Sequence, residues 1–127
     1  QLPLVECYPG QLNQVFMNIL SNAIDALDDA FVGEQGQICI RTEVVNKNRI
    51  AIRISDNGMG IPQHAISKLF DPFFTTKDVG KGTGLGLSIS YQIVVDRHGG
   101  NLSCNSIPGK GAEFVIEIPV IQPANRG

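Results

Sequence analysis

The chain has 127 residues, 43% of them hydrophobic and 17% charged, with a formal net charge of −2. That length suits a single domain over residues 1–127 with one core, and the slight acidity excludes a general nucleic-acid binder, whose mark is a basic excess. Cys7, Cys39 and Cys104 lie far apart, with no CxxC and no neighbouring His pair, which excludes a zinc site or disulfide framework and suits a reducing, cytoplasmic setting.

In chain order, Leu2–Cys7 reads as a short strand, closed by Tyr8-Pro9-Gly10. The chain begins without Met inside this apolar stretch, so a piece of a longer protein is expected. No apolar run approaches the roughly 18 residues of a membrane span. Gln11–Ala30 follows as a long helix. Leu12, Val15, Phe16, Ile19, Leu20, Ala23 and Leu27 recur at helical spacing on one face. The other face carries Gln14, Asn18, Asn22, Asp25 and Asp29, with Asn18, Asn22 and Asp25 in one row along the axis. A face chosen for helix stability carries Glu, Lys, Gln and Arg. Asn and Asp weaken a helix interior by competing for its backbone. Short oxygen-bearing side chains in a row suit a hard cation such as Mg²⁺ as well as they suit plain solvent.

A loop over Val32–Gln37 leads into strands at Gln37–Val45 and Ile50–Ser55, joined by a hairpin loop at Asn46–Arg49. Cys39 and Cys104 read as small core residues of strands. Asp56-Asn57-Gly58-Met59-Gly60-Ile61-Pro62 is a tight turn, and a short helix is expected from Pro62 through Leu69. Phe70, Phe73 and Phe74 read as a hydrophobic anchor. The glycine-rich stretch Thr75–Gly86 then opens a second long helix, which runs to about His98 with Ile89, Ile93 and Val94 inward and ends at Gly99-Gly100. His98 at that end is placed where the helix dipole favours a cation. Strands at Asn101–Ser106 and Ala112–Val120 flank the turn Pro108–Gly111, and a loose tail over residues 122–127 closes the chain. Helices and strands do not alternate, which disfavours a doubly wound parallel sheet. A mixed sheet of about five strands is expected, with three helices on one face and the other face partly exposed.

Two stretches carry chemistry. Asp56 is an acceptor at the end of a strand and could receive the exocyclic amine of adenine. Gly58 and Gly60 would let a flat base approach the backbone. Asp-Asn-Gly is equally an ordinary Asx turn. Gly80, Gly82, Gly84 and Gly86 alternate ahead of a helix, exposing N–H groups to an anion. Lys77 and Lys81, with Thr75 and Thr76, supply charge and hydroxyls suited to a triphosphate. The loop fits neither a Walker A pattern, with Thr75 and Gly82 at key places, nor a Rossmann fingerprint, which fails at Leu87.

Taken in order, these stretches resemble the catalytic ATP-binding domain of bacterial sensor histidine kinases, within an ATPase superfamily that includes gyrase B, a heat-shock chaperone and a mismatch-repair ATPase. Asn18–Ala26 is similar to the N box, Asp56–Gly60 to the first glycine box, Phe70–Phe74 to the F box, Gly82–Leu87 to the second glycine box, and Gly109–Phe114 to the last glycine turn. The resemblance covers nearly the whole chain. It implies a two-layer α/β (α+β) sandwich of the Bergerat type holding ATP and Mg²⁺ between the first helix and a lid. Asn22 and Asn18 are the implied metal ligands, and together with Lys77 the implied catalytic residues. The nucleotide is implied to touch Asn22, Asp25, Ala26, Asp56, Gly58, Gly60 and Ile61. On the lid side it is implied to touch Thr76, Lys77, Lys81, Gly82, Thr83, Gly84, Leu85, Gly86 and Leu87. Without nucleotide, Val79–Gly82 is expected to be mobile.

The sequence departs from the family pattern at two places. Asp25 stands where many relatives carry Lys or Arg, and Ala112 stands where Ser or Thr is frequent. Neither His64 nor His98 resembles the family's phosphoacceptor. The resemblance therefore implies an upstream dimerisation and phosphoacceptor domain, a homodimeric full-length protein and a response-regulator receiver as partners, whether or not the whole protein is membrane-anchored. Hydrolytic relatives carry a Glu four residues before the metal-ligating Asn. Asn18 occupies that place and cannot take a proton at neutral pH. A protein-serine kinase and a binding-only module are the remaining alternatives.

Overall fold

The computed structural model describes residues 4–30, 36–71, 86–107 and 110–121. Helix α1 (Pro9–Ala30) comes first, with Pro9 and Gly10 forming its opening turn, where a missing N–H costs nothing. Strands β1 (Ile38–Asn46) and β2 (Arg49–Asp56) form a hairpin whose loop is reduced to Lys47-Asn48. Asn46 Oδ1 accepts the Asn48 N–H at 2.8 Å and shapes that turn. A one-turn helix α2 (Gln63–Ile66) precedes α3 (Gly86–Tyr91), which continues as a π-helical segment over Gln92–Arg97. Strands β3 (Asn101–Ile107) and β4 (Gly111–Pro119) complete the sheet. No helix among the described residues is long and apolar enough to cross a membrane.

The fold is α+β, as expected, but the sheet has four strands among the described residues, in the order β1-β2-β4-β3, and every pairing is antiparallel. The mixed five-stranded sheet rested on Leu2–Cys7. The described part of that stretch forms no strand, and Glu6 donates its backbone N–H to Val120 O at 2.8 Å. That bond at the sheet's end anchors the segment without making a ladder.

Period-two alternation sorts the strands into two faces. Ile50, Ile54, Phe114, Ile116, Ile118 and Leu102 are buried toward the helices, where they meet Leu12, Val15 and Ile19 of α1 and Ile93 and Val94 of the π segment. Each such side chain contributes about 1.5–3 kcal/mol when fully buried, so the sheet and its helical layer hold together through this one core. The open face is charged. Arg53 bridges Glu43 at 2.6 Å and Glu113 at 3.1 Å, and Arg49 bridges Glu117 at 2.7 Å. These long side chains shelter Ala51 and Val115 beneath them. Cys39 lies exposed on this face of edge strand β1, opposite Ser55, and is not a core residue. Cys104, facing the core, is half-buried as expected.

The second long helix changes pitch at Gln92. His98 N–H reaches back five residues to Ile93 O at 3.1 Å, and Gly99, at φ 69°, terminates the helix. Gly100 then passes so close to β4 that a side-chain carbon there would lie 2.1 Å from Glu117 O. His98 itself is fully buried. Its Nε2 accepts the Tyr8 backbone N–H at 3.0 Å and its Nδ1 donates to Ile93 O at 2.8 Å. That bonding requires a neutral ring, so His98 is not the exposed, dipole-stabilised cation its position suggested. It joins the segment leading into α1 to the end of the π segment.

Candidate functional site

The polar row on α1 is half-buried at Asn18, Asn22, Asp25 and Ala26, and two other elements meet it at separate points. At one, the start of α3 docks on Asn18. Asn18 Nδ2 donates to Gly86 O at 3.1 Å and to Ser90 Oγ at 3.2 Å. At the other, the turn after β2 docks on Ala26. A side-chain carbon at Gly58 would lie 3.0 Å from both Ala26 O and Asp56 Oδ1, so any larger residue would push the turn and the helix apart by a few tenths of an ångström. Asn22 lies one turn from each docking point, and the two points are about 12 Å apart along the axis at 1.5 Å per residue.

Asp56 ends β2 with its carboxylate fixed. Oδ1 accepts the Gly58 N–H at 2.9 Å, which is the Asx turn that the sequence also allowed. The turn leaves room for the expected acceptor role, because a carboxylate has lone pairs to spare. Burial pushes the Asp56 carboxyl above the usual carboxylate range, and the backbone N–H groups of Gly58 and Ala112 oppose that rise. Gly60, at φ 78°, turns the chain back, and Ile61 donates its N–H to Ser106 Oγ at 2.6 Å. Ser106 in turn donates to Gly111 O at 3.0 Å. Gly111, at φ 109°, lies against β2, and a side-chain carbon there would sit 2.0 Å from Asp56 O. Ser106 and Gly111 therefore fasten the Asp56–Ile61 turn to the β3–β4 hairpin.

The structure thus brings Asn18 to Gly86 and Ala26 to the Asp56 turn. Ile61 and Leu87 are half-buried and pack against the core. Phe70, the described part of the expected aromatic anchor, stacks on Tyr91 of α3 with centroids 5.4 Å apart. Thr76, Lys77, Lys81, Gly82, Thr83, Gly84 and Leu85 lie outside the described residues, as do Phe73, Phe74, Gly109, the expected mobile stretch Val79–Gly82 and the Asp29 side chain. Two contributors were not legible in sequence. Ser90 and Ser106 are serines without a motif, and only the tertiary contact gives either one a task.

Among the described residues no three His, Cys, Asp or Glu side chains converge on a point. The oxygen donors that the row on α1 offers are the amide oxygens of Asn18 and Asn22 and the carboxylate of Asp25. That donor set fits a hard cation that keeps most of its waters and shares a phosphate, rather than one held in an all-protein cage. The Cys104 thiol is pushed up to about 12, first by burial and then by the charges of Asp56 and Glu113, so it stays protonated and unreactive. A shallow cleft of about 240 Å³ opens at the strand ends beside Ser55, and it is lined by Asp56 and by Lys110, Gly111, Ala112 and Glu113 of the last glycine turn.

Residues 7–122 match the family described as histidine kinase-, DNA gyrase B-, and HSP90-like ATPase. The chain belongs to that family. This catalytic domain is 39% identical over 123 residues to sporulation kinase E of Bacillus subtilis, a match covering 97% of this chain and 16% of that protein. The chain therefore spans a small part of the curated relative's length. Among solved structures, the catalytic domain of histidine kinase ThkA, in a nucleotide-free form, superposes with a TM-score of 0.77 at 38% identity, over 92% of this chain and 72% of that one. Full-length ShkA in complex with AMPPNP superposes with a TM-score of 0.80 at 27% identity, over 99% of this chain and 25% of that one.

Proposed function

We propose that the chain is the ATP-binding catalytic domain of a cytoplasmic two-component sensor histidine kinase. In this reading it transfers the γ-phosphoryl group of ATP to a histidine on an upstream dimerisation domain of a longer, homodimeric protein, from which a response-regulator receiver takes it. The observation that carries this reading is the Asp56 carboxylate, held by the N–H of Gly58, which itself lies against α1 at Ala26, one turn from Asn22. A purine amine donating to Asp56 lays the phosphates along α1 toward Asn22, Asn18 and the start of α3.

Each group then has a physical task. Asp56 accepts from the adenine amine, and Gly58 and Gly60 leave room for the ring. The oxygens of Asn22 and Asn18 would hold Mg²⁺, which neutralises phosphate charge when bound. Lys77, Lys81, Thr76, Thr83 and the N–H groups of Gly82 to Gly86 would cradle the β- and γ-phosphates. With Asp25 where a cation would otherwise help, that neutralisation falls to the lid. An imidazole nitrogen attacks the γ-phosphorus in line as the bond to the β–γ bridging oxygen breaks, so ADP leaves. Catalysis of this step is mainly positioning and charge neutralisation.

Hydrolysis is the weaker reading, because Asn18 offers water no general base and its amide nitrogen is committed to α3. The test is incubation of the chain with γ-labelled ATP, Mg²⁺ and the separately produced phosphoacceptor domain of its own full-length protein. Acid-labile label on that domain, absent with Asn22→Ala, is the expected result. Release of free phosphate with no label on the histidine would contradict the kinase assignment.

A further inference from the structure

We infer that Ser90 is a positioning residue for the metal-binding end of the site, holding Asn18 so that its amide oxygen, not its nitrogen, faces the cation. The inference rests on the proposed role of Asn18 as a ligand. The two ends of an asparagine amide have almost the same shape, and rotation about its last torsion exchanges them. Only the oxygen can ligate Mg²⁺. Something must therefore choose between the two orientations, and α3 supplies it.

Ser90 is fully buried between α1 and α3, where an apolar side chain would be ordinary. Its hydroxyl proton goes to Gly86 O at 2.8 Å, so its lone pairs are what remain for Asn18. Asn18 Nδ2 donates to both Ser90 Oγ and Gly86 O, at 3.2 Å and 3.1 Å. A flipped amide would set its oxygen against two acceptors and leave two N–H donors elsewhere, which a part-buried site does not tolerate. The amino group is thereby fixed on α3 and the oxygen is turned away from it. Removing the Ser90 oxygen takes away one of the two acceptors that face the amino group and leaves Gly86 O alone to oppose the flip.

The test is calorimetric titration of the chain with ATP, once with Mg²⁺ and once with a chelator. Ser90→Thr and Ser90→Val have nearly the same shape, and only Val lacks the hydroxyl. Ser90→Thr is expected to keep the Mg²⁺-dependent gain in affinity, whereas Ser90→Val loses about tenfold of it and changes metal-free affinity by no more than about twofold. Should the branched pair disturb the α1–α3 contact, Ser90→Ala, which only removes the oxygen, takes the place of Val. An undiminished Mg²⁺ effect without the hydroxyl would overturn the inference. So would an equal loss with and without Mg²⁺, which marks a merely structural role. An Asn18→Ala chain that retains the full Mg²⁺ effect would overturn the assignment of Asn18 itself, a result distinguishable from failure at Ser90.

Discussion

Asp56 shows how one residue can serve folding poorly and binding well. Its carboxyl is held above the ordinary range by burial, so the folded chain binds its proton more readily than the unfolded chain does. The associated stability is present below the unfolded carboxylate pKa and is lost as pH rises through the folded value. Asp56→Asn keeps an oxygen for the Gly58 N–H and carries no charge to bury. Thermal unfolding of the nucleotide-free chain should therefore give Asp56→Asn a higher Tm than the native chain at neutral pH. The difference should shrink as the pH falls below the carboxylate range; a difference that stayed constant with pH would place its origin elsewhere. At this scale the sequence was readable wherever a residue type is unusual for its setting. Asp at a strand end and Asn within a helix are of that kind, while Ser90 and Ser106 are not. His98 was misread because a helix-end position says nothing about what covers it. Tyr8, which supplies its partner N–H, lies at the far end of the chain.

Elements with strong periodicity were legible to within a few residues. The apolar row of α1 is the row that is buried, and both hairpins lie where alternation and turn residues put them. The described part of Leu2–Cys7 forms no strand because a short apolar run shows no preference between a sheet ladder and an isolated anchoring bond. The π segment was invisible because a one-residue insertion into helical pitch leaves the apolar spacing nearly unchanged. The β3–β4 hairpin carries a sharper test. Gly111 combines a positive φ with contact against the Asp56 backbone, two conditions no other residue satisfies. Gly111→Ala should cost about 3 kcal/mol or more of unfolding free energy, measured by urea denaturation, and should weaken nucleotide binding through the displaced Asp56. An unchanged midpoint would mean that the hairpin does not clamp β2 as described.

For the molecule as a whole, the motif order was enough to anticipate a two-layer α+β domain, because five short patterns in sequence leave few other arrangements. Strand order was not readable. β4 inserts between β2 and β3, and that insertion brings Gly111 and Ser106 to the turn that carries Asp56. The helical layer is in turn tied at both ends, to Asn18 at Gly86 and to the segment preceding α1 at His98. Between these ties lies the row of α1 on which the proposed nucleotide rests. Calorimetric titration with ATP and Mg²⁺ of the native chain against Asp56→Asn reads this arrangement most directly. Exchanging an acceptor for a donor beneath the adenine amine should weaken binding roughly tenfold to a hundredfold. Equal affinity in the two chains would mean that the base is bound somewhere other than at the end of β2.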